Sequence, residues 1–432
     1  MRHRLPAILF TTAIVLMCGS VVWLLIESSR ETAAPAAVAT TKPMAMPLRQ
    51  SSPPSTQKAT TRVPPSSTTS AKVPLIATIN VPDSMPNEAL LTFRTPEALA
   101  AFRDRAAALG LEILGYDAKL RTARVRFRDT TALERDLSEH AADYTHVGPN
   151  YIARIPALPP EPQTDTANAG GHAPFRSQGL DAIGAAGNRS GWGQGVTVAV
   201  IDSGIAAHPS LKNAQITHID LVNDGSTMNG HGTAMASLIA GNDESVGGVA
   251  PAAKLLDIRV ADTHGDSNTA LLSSAIVKAT DLGARVINIS LGSSGSSPML
   301  EEAVRYAQSR NVVIVAAAGN EQQTALSWPA GIAGVLSVGA VDANGTQAYF
   351  SNSGAGLTLV APGVGIVSGY TDSKLVIGSG TSQATAITSG VVASLLARGY
   401  YGPNIIPLLT RTAEPLKAPA TAVGAGLLQV PK

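Results

Sequence analysis

The sequence predicts a three-layer α/β domain with a parallel sheet, preceded by a small α+β domain. After residue 176, almost continuously apolar segments alternate with helix-like segments, which is typical of a parallel sheet buried on both faces. The strand candidates are Val196–Asp202, Lys254–Val260, Val286–Leu291, Val312–Ala317 and Val335–Val341. The helix candidates include Thr269–Leu282, Met299–Ser309 and Thr381–Arg398. A domain over 176–432 follows from this pattern.

The smaller domain is predicted over residues 76–155. Thr95-Pro96-Glu97 is a helix start, with an N-cap residue and proline at the first helical position. In Ala123–Arg128, apolar residues alternate with three arginines, which indicates a half-buried strand. The predicted element order is βαββαβ, that of a ferredoxin-like α+β domain.

Three further segments connect or precede these domains. Residues 1–26 contain an uncharged run of 22 residues, Leu5–Ile26, after three basic residues, and this predicts a membrane anchor with an extracytoplasmic catalytic domain. A cleaved signal peptide and a secreted product are the alternative. Residues 27–75 are rich in Ser, Thr and Pro and predict a disordered tether, and residues 156–175 predict a linker.

Composition excludes some functions. The chain has 32 basic and 31 acidic residues, a net charge of +1, which gives no electrostatic footprint for nucleic acid. Cys18 is the single cysteine of the sequence, so no intramolecular disulfide can form. Because it lies within the apolar run, it is interpreted as a small buried hydrophobe, and a lipidated cysteine is the other option.

Three distant segments contain an acid, a base and a nucleophile. Asp202 ends a buried strand, His231 stands between two glycines at the start of an apolar helix, and Ser382 opens the helix Thr381–Arg398. Each alone has an ordinary structural explanation, namely a turn, a surface histidine or a helix cap. Together they match a catalytic need: serine requires a base to take its proton, and a carboxylate orients the imidazole. The order Asp, His, Ser is that of subtilisin.

With these motifs, the stretch from Gln178 to Leu396 resembles the subtilisin-like serine peptidases. The resemblance implies that Asp202, His231 and Ser382 form the catalytic triad. It also implies that Asn320, which ends Ala317-Ala318-Gly319-Asn320, donates to the oxyanion. By the same resemblance, Ser290, Leu291 and Gly292 bind substrate backbone. With Ala317, Ala318 and Gly319 they wall a roomy, uncharged primary specificity pocket suited to large apolar side chains.

The resemblance extends to residues 76–155, which are similar to the family propeptide. This implies a zymogen whose propeptide assists folding and inhibits the enzyme. The sequence departs from the family pattern at Ala234, at Gln383-Ala384-Thr385-Ala386, and at Ser210, where many members have a calcium-binding aspartate. We therefore expect no cofactor, with calcium doubtful, and no zinc site.

The predicted function is a serine endopeptidase that cleaves protein or peptide substrates through an acyl-enzyme on Ser382. A peptidase fold retained only as a binding or scaffold protein is a rival from another class. An esterase or a transpeptidase is a further alternative that uses the same residues.

Overall fold

A computed structural model describes residues 75–156 and 171–432. The predicted anchor, the tether up to residue 74 and most of the linker lie outside the described residues. Within the described part, no helix is both long enough and apolar enough to cross a membrane.

The first described segment, residues 75–156, is built on an antiparallel sheet with strand order β4-β1-β3-β2. Its elements are α1 (Leu75–Ile79), β1 (Ser84–Phe93), α2 (Pro96–Ala106), β2 (Glu112–Asp117), β3 (Thr122–Arg126), α3 (Thr131–Glu139) and β4 (Tyr144–Arg154). The βαββαβ order is the one that the sequence predicts, with the short helix α1 added in front.

Local sequence explains why α2 forms where it does. The Thr95 side chain accepts a hydrogen bond from the Ala98 amide, and Pro96 occupies the first turn. Beyond the helix, Gly110 has a φ of +73°, a backbone conformation that favours glycine. Phe102 on the inner face packs against Phe93 at a ring distance of 5.1 Å. This segment therefore has an apolar core of its own.

The second segment, residues 171–432, contains the larger sheet and its helices. Up to the middle of the chain its elements are α4 (Gly179–Ala182), β5 (Thr197–Asp202), β6 (Ile216–Asp220), α5 (His231–Ala240), β7 (Lys254–Arg259), β8 (Asp266–Asn268), α6 (Thr269–Asp281), β9 (Val286–Ile289) and β10 (Gly292–Ser293). The remaining elements are α7 (Pro298–Gln308), β11 (Val313–Ala317), β12 (Leu336–Val341), β13 (Leu359–Pro362), β14 (Ile366–Gly369), β15 (Leu375–Gly378), α8 (Thr381–Ala397), α9 (Ile405–Thr412) and α10 (Ala420–Val423).

Seven parallel strands form the central sheet, in the order β13-β12-β11-β9-β5-β7-β6. Helices α5 and α8 pack against each other, and so do α6 and α7, which gives helical layers around the sheet. The central strands β5, β9 and β11 are buried along almost their whole length. The three-layer α/β architecture with a parallel sheet is confirmed.

The strands that the sequence analysis missed are short or lie at an edge. Strand β6 ends the sheet and is mostly exposed, so it lacks a continuous apolar run. Strands β8 and β10 contain three and two residues and pair with β4 of the first segment instead of the central sheet. Their pairing depends on a partner distant in sequence, which local periodicity does not show.

Candidate active site

Asp202 is the last residue of β5 and is fully buried. Its Oδ1 accepts hydrogen bonds from the amide of Ser203 at 2.7 Å and from the Ser203 hydroxyl at 3.2 Å. These bonds fix the orientation of the carboxylate. The sequence places the acid at the carboxyl end of a parallel strand, where functional groups gather in open α/β sheets.

His231 opens α5, and its Nδ1 lies 2.9 Å and 3.0 Å from the two carboxylate oxygens of Asp202. A carboxylate accepts hydrogen bonds, so Nδ1 is the donor in this pair and the acid orients the imidazole ring. The imidazole is about one-tenth exposed. This pair is the acid–base arrangement that the sequence analysis expects.

The glycines beside His231 fit closely against neighbouring residues. A Cβ atom at Gly230 would lie 2.6 Å from the ring of Tyr370, and Gly230 has a φ of +87°. A Cβ atom at Gly232 would lie 2.5 Å from the Gly204 carbonyl oxygen. The turn that carries the base therefore fits closely against its neighbours.

Ser382 is the second residue of α8 and is almost completely buried. Its hydroxyl donates to the carbonyl of Ser290 at 3.2 Å. Among the described residues, no hydrogen bond joins Ser382 Oγ to His231. Such bonds are often long before substrate binds. The structure thus places the serine beside the predicted substrate-binding segment.

Asn320 is tied to the helix that carries Ser382. Its Oδ1 accepts from the Thr381 amide at 2.9 Å and from the Thr381 hydroxyl at 2.8 Å. With the oxygen held, the amide nitrogen Nδ2 projects toward Gly380, 3.0 Å from where a Cβ atom of that residue would lie. A hydrogen-bond donor is therefore fixed next to the start of α8, whose first amides are unpaired within the helix.

Residues 290–292 run from the buried interior to a strand that pairs with β4. Ser290 and Leu291 are buried, and the Ser290 hydroxyl accepts from the side-chain amide of Asn288 at 3.0 Å. Gly292 is partly exposed and pairs as a strand with Arg154 of β4, followed by Ser293 with Ala153. On its other edge β4 pairs with β8, where Ala153 faces Ser267. The chain's own strand β4 thus lies between β8 and β10.

A cavity of about 550 Å³ lies beside these strands. Of the predicted wall residues, Leu291, Gly292, Ala317 and Gly319 line it. Ser290 and Ala318 do not line the cavity, and both residues are fully buried.

The cavity is not uncharged, so that expectation is wrong. The carboxylate of Glu321 lines it and accepts a hydrogen bond from the side-chain amide of Asn352 at 2.7 Å. Glu321 directly follows Asn320, so its position next to the oxyanion motif was a usable signal. Asn352 and Ser327 come from distant loops and have no local signal.

Ser210, which occupies the position of the family's calcium ligand, is buried and bonded to protein. Its hydroxyl lies 2.8 Å from His208 Nδ1, and its amide donates to the same nitrogen at 3.1 Å. In the described segments, no three His, Cys, Asp or Glu side chains group as a metal site would require. The Ser210 side chain is thus engaged with His208, and the expected absence of a calcium site stays a prediction.

Comparison with known proteins agrees with this geometry. The family described as Peptidase_S8, the subtilase family, matches residues 193–426. A thermostable alkaline protease of Halalkalibacterium halodurans is 39% identical over 238 residues, which cover 54% of this chain and 66% of that protein. Subtilisin Savinase of Lederbergia lenta is 39% identical over 244 residues, covering 56% of this chain and 88% of that protein.

One solved structure extends the similarity of fold to a larger part of the chain. Fervidolysin from Fervidobacterium pennivorans, described as a keratinolytic enzyme related to subtilisin, matches with a TM-score of 0.70 at 24% identity. The match covers 82% of this chain and 61% of fervidolysin. Because the family match spans more than half of the sequence, the chain belongs to the subtilase family.

Proposed function

We propose that this subtilase is a serine endopeptidase made as a zymogen, with Asp202, His231 and Ser382 as its triad. The observation that carries the proposal is the contact of His231 Nδ1 with both oxygens of the buried Asp202. It leaves Nε2 free to take the proton of Ser382 Oγ as that oxygen attacks the scissile carbonyl.

The remaining steps follow from the same geometry. The oxyanion would accept hydrogen bonds from Asn320 Nδ2 and from the Ser382 backbone amide. Asp202 stabilises the imidazolium of His231, which then protonates the leaving amine. Water activated by His231 would hydrolyse the acyl-enzyme on Ser382, releasing the second product.

A fluorophosphonate probe and a peptide substrate test this function. We expect the activated protein to be labelled at Ser382 and to hydrolyse the peptide. Absence of labelling would favour the scaffold alternative. Product analysis with competing amines separates hydrolysis from aminolysis and so tests the transpeptidase alternative.

We propose further that residues 75–156 are an intramolecular inhibitor. The supporting observation is that β4 pairs with both β8 and β10, and that the Ile155 amide then donates to the Gly265 carbonyl at 2.9 Å. Ile155 and Pro156 line the cavity, so the chain enters the cleft as an added strand, the mode in which peptides bind exposed strand edges.

Side chains reinforce this docking. Asn150 is fully buried, and its Oδ1 accepts from the Ala270 amide at 3.1 Å, at the start of α6. Its amide donates to Glu88 at 2.9 Å, and Glu88 is paired with Arg124 at 2.7 Å. Lys119 forms an ion pair with Asp281 from the other segment. Helix capping and ion pairing thus connect the two segments.

The inhibitory proposal is tested by adding purified residues 75–156 to activated enzyme. We expect slower hydrolysis of a small peptide. Unchanged hydrolysis at high micromolar concentration would contradict inhibition and leave the segment as a spacer or partner-binding module.

For the substrate, we propose a lysine or arginine at the position before the scissile bond. A Cβ atom at Gly292 would lie 2.8 Å from Ser327 Cβ, and one at Gly319 would lie 2.3 Å from Ser327 Oγ. Ser327 therefore lies close to both glycines that line the cavity. Asn352 and Glu321 line it too, and Asn352 donates to the carboxylate of Glu321, which would pair with a long basic side chain.

Substrates that differ only in lysine or norleucine at this position test the preference. We expect Glu321→Gln to lower kcat/KM for the lysine peptide roughly fivefold, within the range of a partly exposed ion pair, and to spare the norleucine peptide. Glu302→Gln, an exposed acid on α7 that does not line the cavity, is the matched control. Equal loss for both peptides would refute the specificity role.

We also propose that the enzyme acts outside the cytoplasm, either anchored through residues 5–26 or released after cleavage of a signal peptide. N-terminal sequencing of the mature protein distinguishes these alternatives and locates the maturation cut.

A further inference from the structure

A second histidine–aspartate pair lies beside Asp202 on the central sheet. His218 on β6 and Asp257 on β7 are register partners, and their Nδ1 and Oδ2 atoms are 2.6 Å apart. Asp257 is also the register partner of Val200 on β5. Val200 and Asp202 are two residues apart, so Asp257 projects from the same sheet face as Asp202.

Asp257 is held in an unusual environment. It is fully buried, and its Oδ2 accepts from the Ile205 amide at 2.9 Å as well as contacting His218. Its Oδ1 is buried with no hydrogen-bond partner among the described residues. A buried carboxylate is costly unless a counter-charge and hydrogen bonds compensate it.

The bond to Ile205 connects Asp257 to the candidate active site. Ile205 ends the short turn that begins at Asp202, and the Ser203 hydroxyl in that turn accepts from the Gly232 amide at 3.1 Å. The Gly204 carbonyl packs directly against Gly232. The turn 203–205 therefore lies between the acid and the helix that carries His231, and Asp257 anchors its far end.

His218 is the titratable side chain bonded to Asp257, and the other charged groups nearby have partners of their own. Arg259, the next residue of β7 on this face, is bonded to Asp220 at 2.9 Å and Asp224 at 3.0 Å. Helix α5 contributes His231, which is bonded to Asp202. His208, on the loop that follows β5, is bonded to Ser210 and to the Lys374 carbonyl.

Burial raises the pKa of Asp257, the amide of Ile205 and the side chain of His218 lower it, and the charge of Asp202 raises it further, with a net upward shift. The two carboxylates therefore interact, and the ionisation of one affects the groups around the other.

We propose, on the basis of the function proposed above, that Asp257 is a positioning residue for the reaction. It anchors the turn 203–205 and, hydrogen-bonded to His218, adds a second negative charge behind Asp202. That charge stabilises the imidazolium that His231 becomes during catalysis.

The test is the pH dependence of kcat/KM for the activated full-chain protein and its Asp257→Asn, His218→Gln and double variants. Asparagine keeps an acceptor for Ile205 and removes the charge. Loss of a nearby anion destabilises the His231 imidazolium. We therefore expect the acid limb of the pH profile to move to lower pH by about half a unit or more. The kcat of Asp257→Asn should fall several-fold with KM nearly unchanged.

His218→Gln should shift the limb in the same direction by a smaller amount, because unpaired Asp257 then takes up a proton more easily. The double variant should match Asp257→Asn alone, since His218 acts through Asp257. His264→Gln is the matched control; His264 is exposed and its nearest acid, Asp262, is 4.0 Å away. Its profile should be that of the unsubstituted protein.

If Asp257→Asn fails to fold, His218→Gln still tests the proposal, because His218 is 42% exposed. If the variants are active and keep the acid limb and the kcat of the unsubstituted protein, this inference is wrong while the proposed function stands. Absence of probe labelling in the unsubstituted protein would overturn the proposed function and this inference with it.

Discussion

Residues 75–156 and residues 171–432 bury their carboxylates in different ways. In the first segment, Glu88 is paired with Arg124 and Arg126, and Asp136 with Arg105. In the second, Asp202 and Asp257 each face a histidine. Arginine stays charged at any physiological pH, whereas histidine gains and loses its proton near neutrality. We propose that the arginine-paired Glu88 supports docking of the first segment and that the histidine-paired Asp202 supports proton transfer in the second, and the predictions below test that contrast.

The largest effect should come from removing the proposed nucleophile. Ser382→Ala should reduce turnover by about 10⁶, the size of the loss known for the nucleophile of subtilisin itself. Docking of residues 75–156 should be unaffected, because their contacts do not involve Ser382. Rates with a peptide substrate, together with circular dichroism as a folding control, check this. Substantial residual turnover would contradict the mechanism.

Asn320→Ala should lower kcat by about 10²–10³, again the value known for the corresponding residue of subtilisin, with a small change in KM. The physical reason is the loss of a donor that acts on the developing oxyanion. Steady-state kinetics check this, and Thr324→Ala, an exposed change on the same loop that does not line the cavity, is the control. Equal losses in both variants would point to disruption of the loop instead.

Asn150→Ala should weaken docking without changing the chemistry. It removes a cap from α6 and a partner from Glu88, and a helix cap contributes about 1 kcal/mol, or roughly a fivefold change in affinity. The full-chain protein should therefore become active sooner after purification. Asp104→Ala, an exposed change on α2, should keep the normal lag. If Asn150→Ala becomes active no sooner after purification than the unsubstituted protein, Asn150 does not contribute to docking.

Acid should loosen the first segment. Burial alone would raise the pKa of Glu88, but hydrogen bonds from Arg124 and Asn150 outweigh burial and hold it below its ordinary value. The same balance, with Arg105, lowers the pKa of Asp136. The resulting stabilisation is present above the unfolded-state pKa values, near 4, and is lost as the pH falls through the lowered folded-state values. In the Ser382→Ala protein, hydrogen exchange of the β1 and β4 amides should accelerate as the pH falls through the lowered folded-state pKa values. Protection that does not change with pH would contradict this.

The smallest effect expected is that of a chelator. The Ser210 hydroxyl is hydrogen-bonded to His208, so we expect EDTA to leave the melting temperature nearly unchanged. A bound ion at about 100 times its dissociation constant would contribute about 2.7 kcal/mol. A large fall in melting temperature that calcium reverses would show a site elsewhere in the protein.

The sequence by itself determined the parallel sheet and the order of acid, base and serine. Apolar runs such as Val198–Ile201 and glycine-flanked motifs such as that around His231 are local, and local patterns are readable without a fold. The interpretation of Asn320 depended on the family resemblance and not on periodicity.

Only the tertiary structure decided what surrounds those residues. Three features join residues that are far apart in the chain. They are the insertion of β4 between β8 and β10, the lining of the cavity by Ser327 and Asn352, and the pair of His218 with Asp257. Such contacts arise when strands from distant segments adopt a common register. One sequence has no periodic signal for that register, so the pairing of β4 with β8 and β10 could be derived only after the segments were placed together.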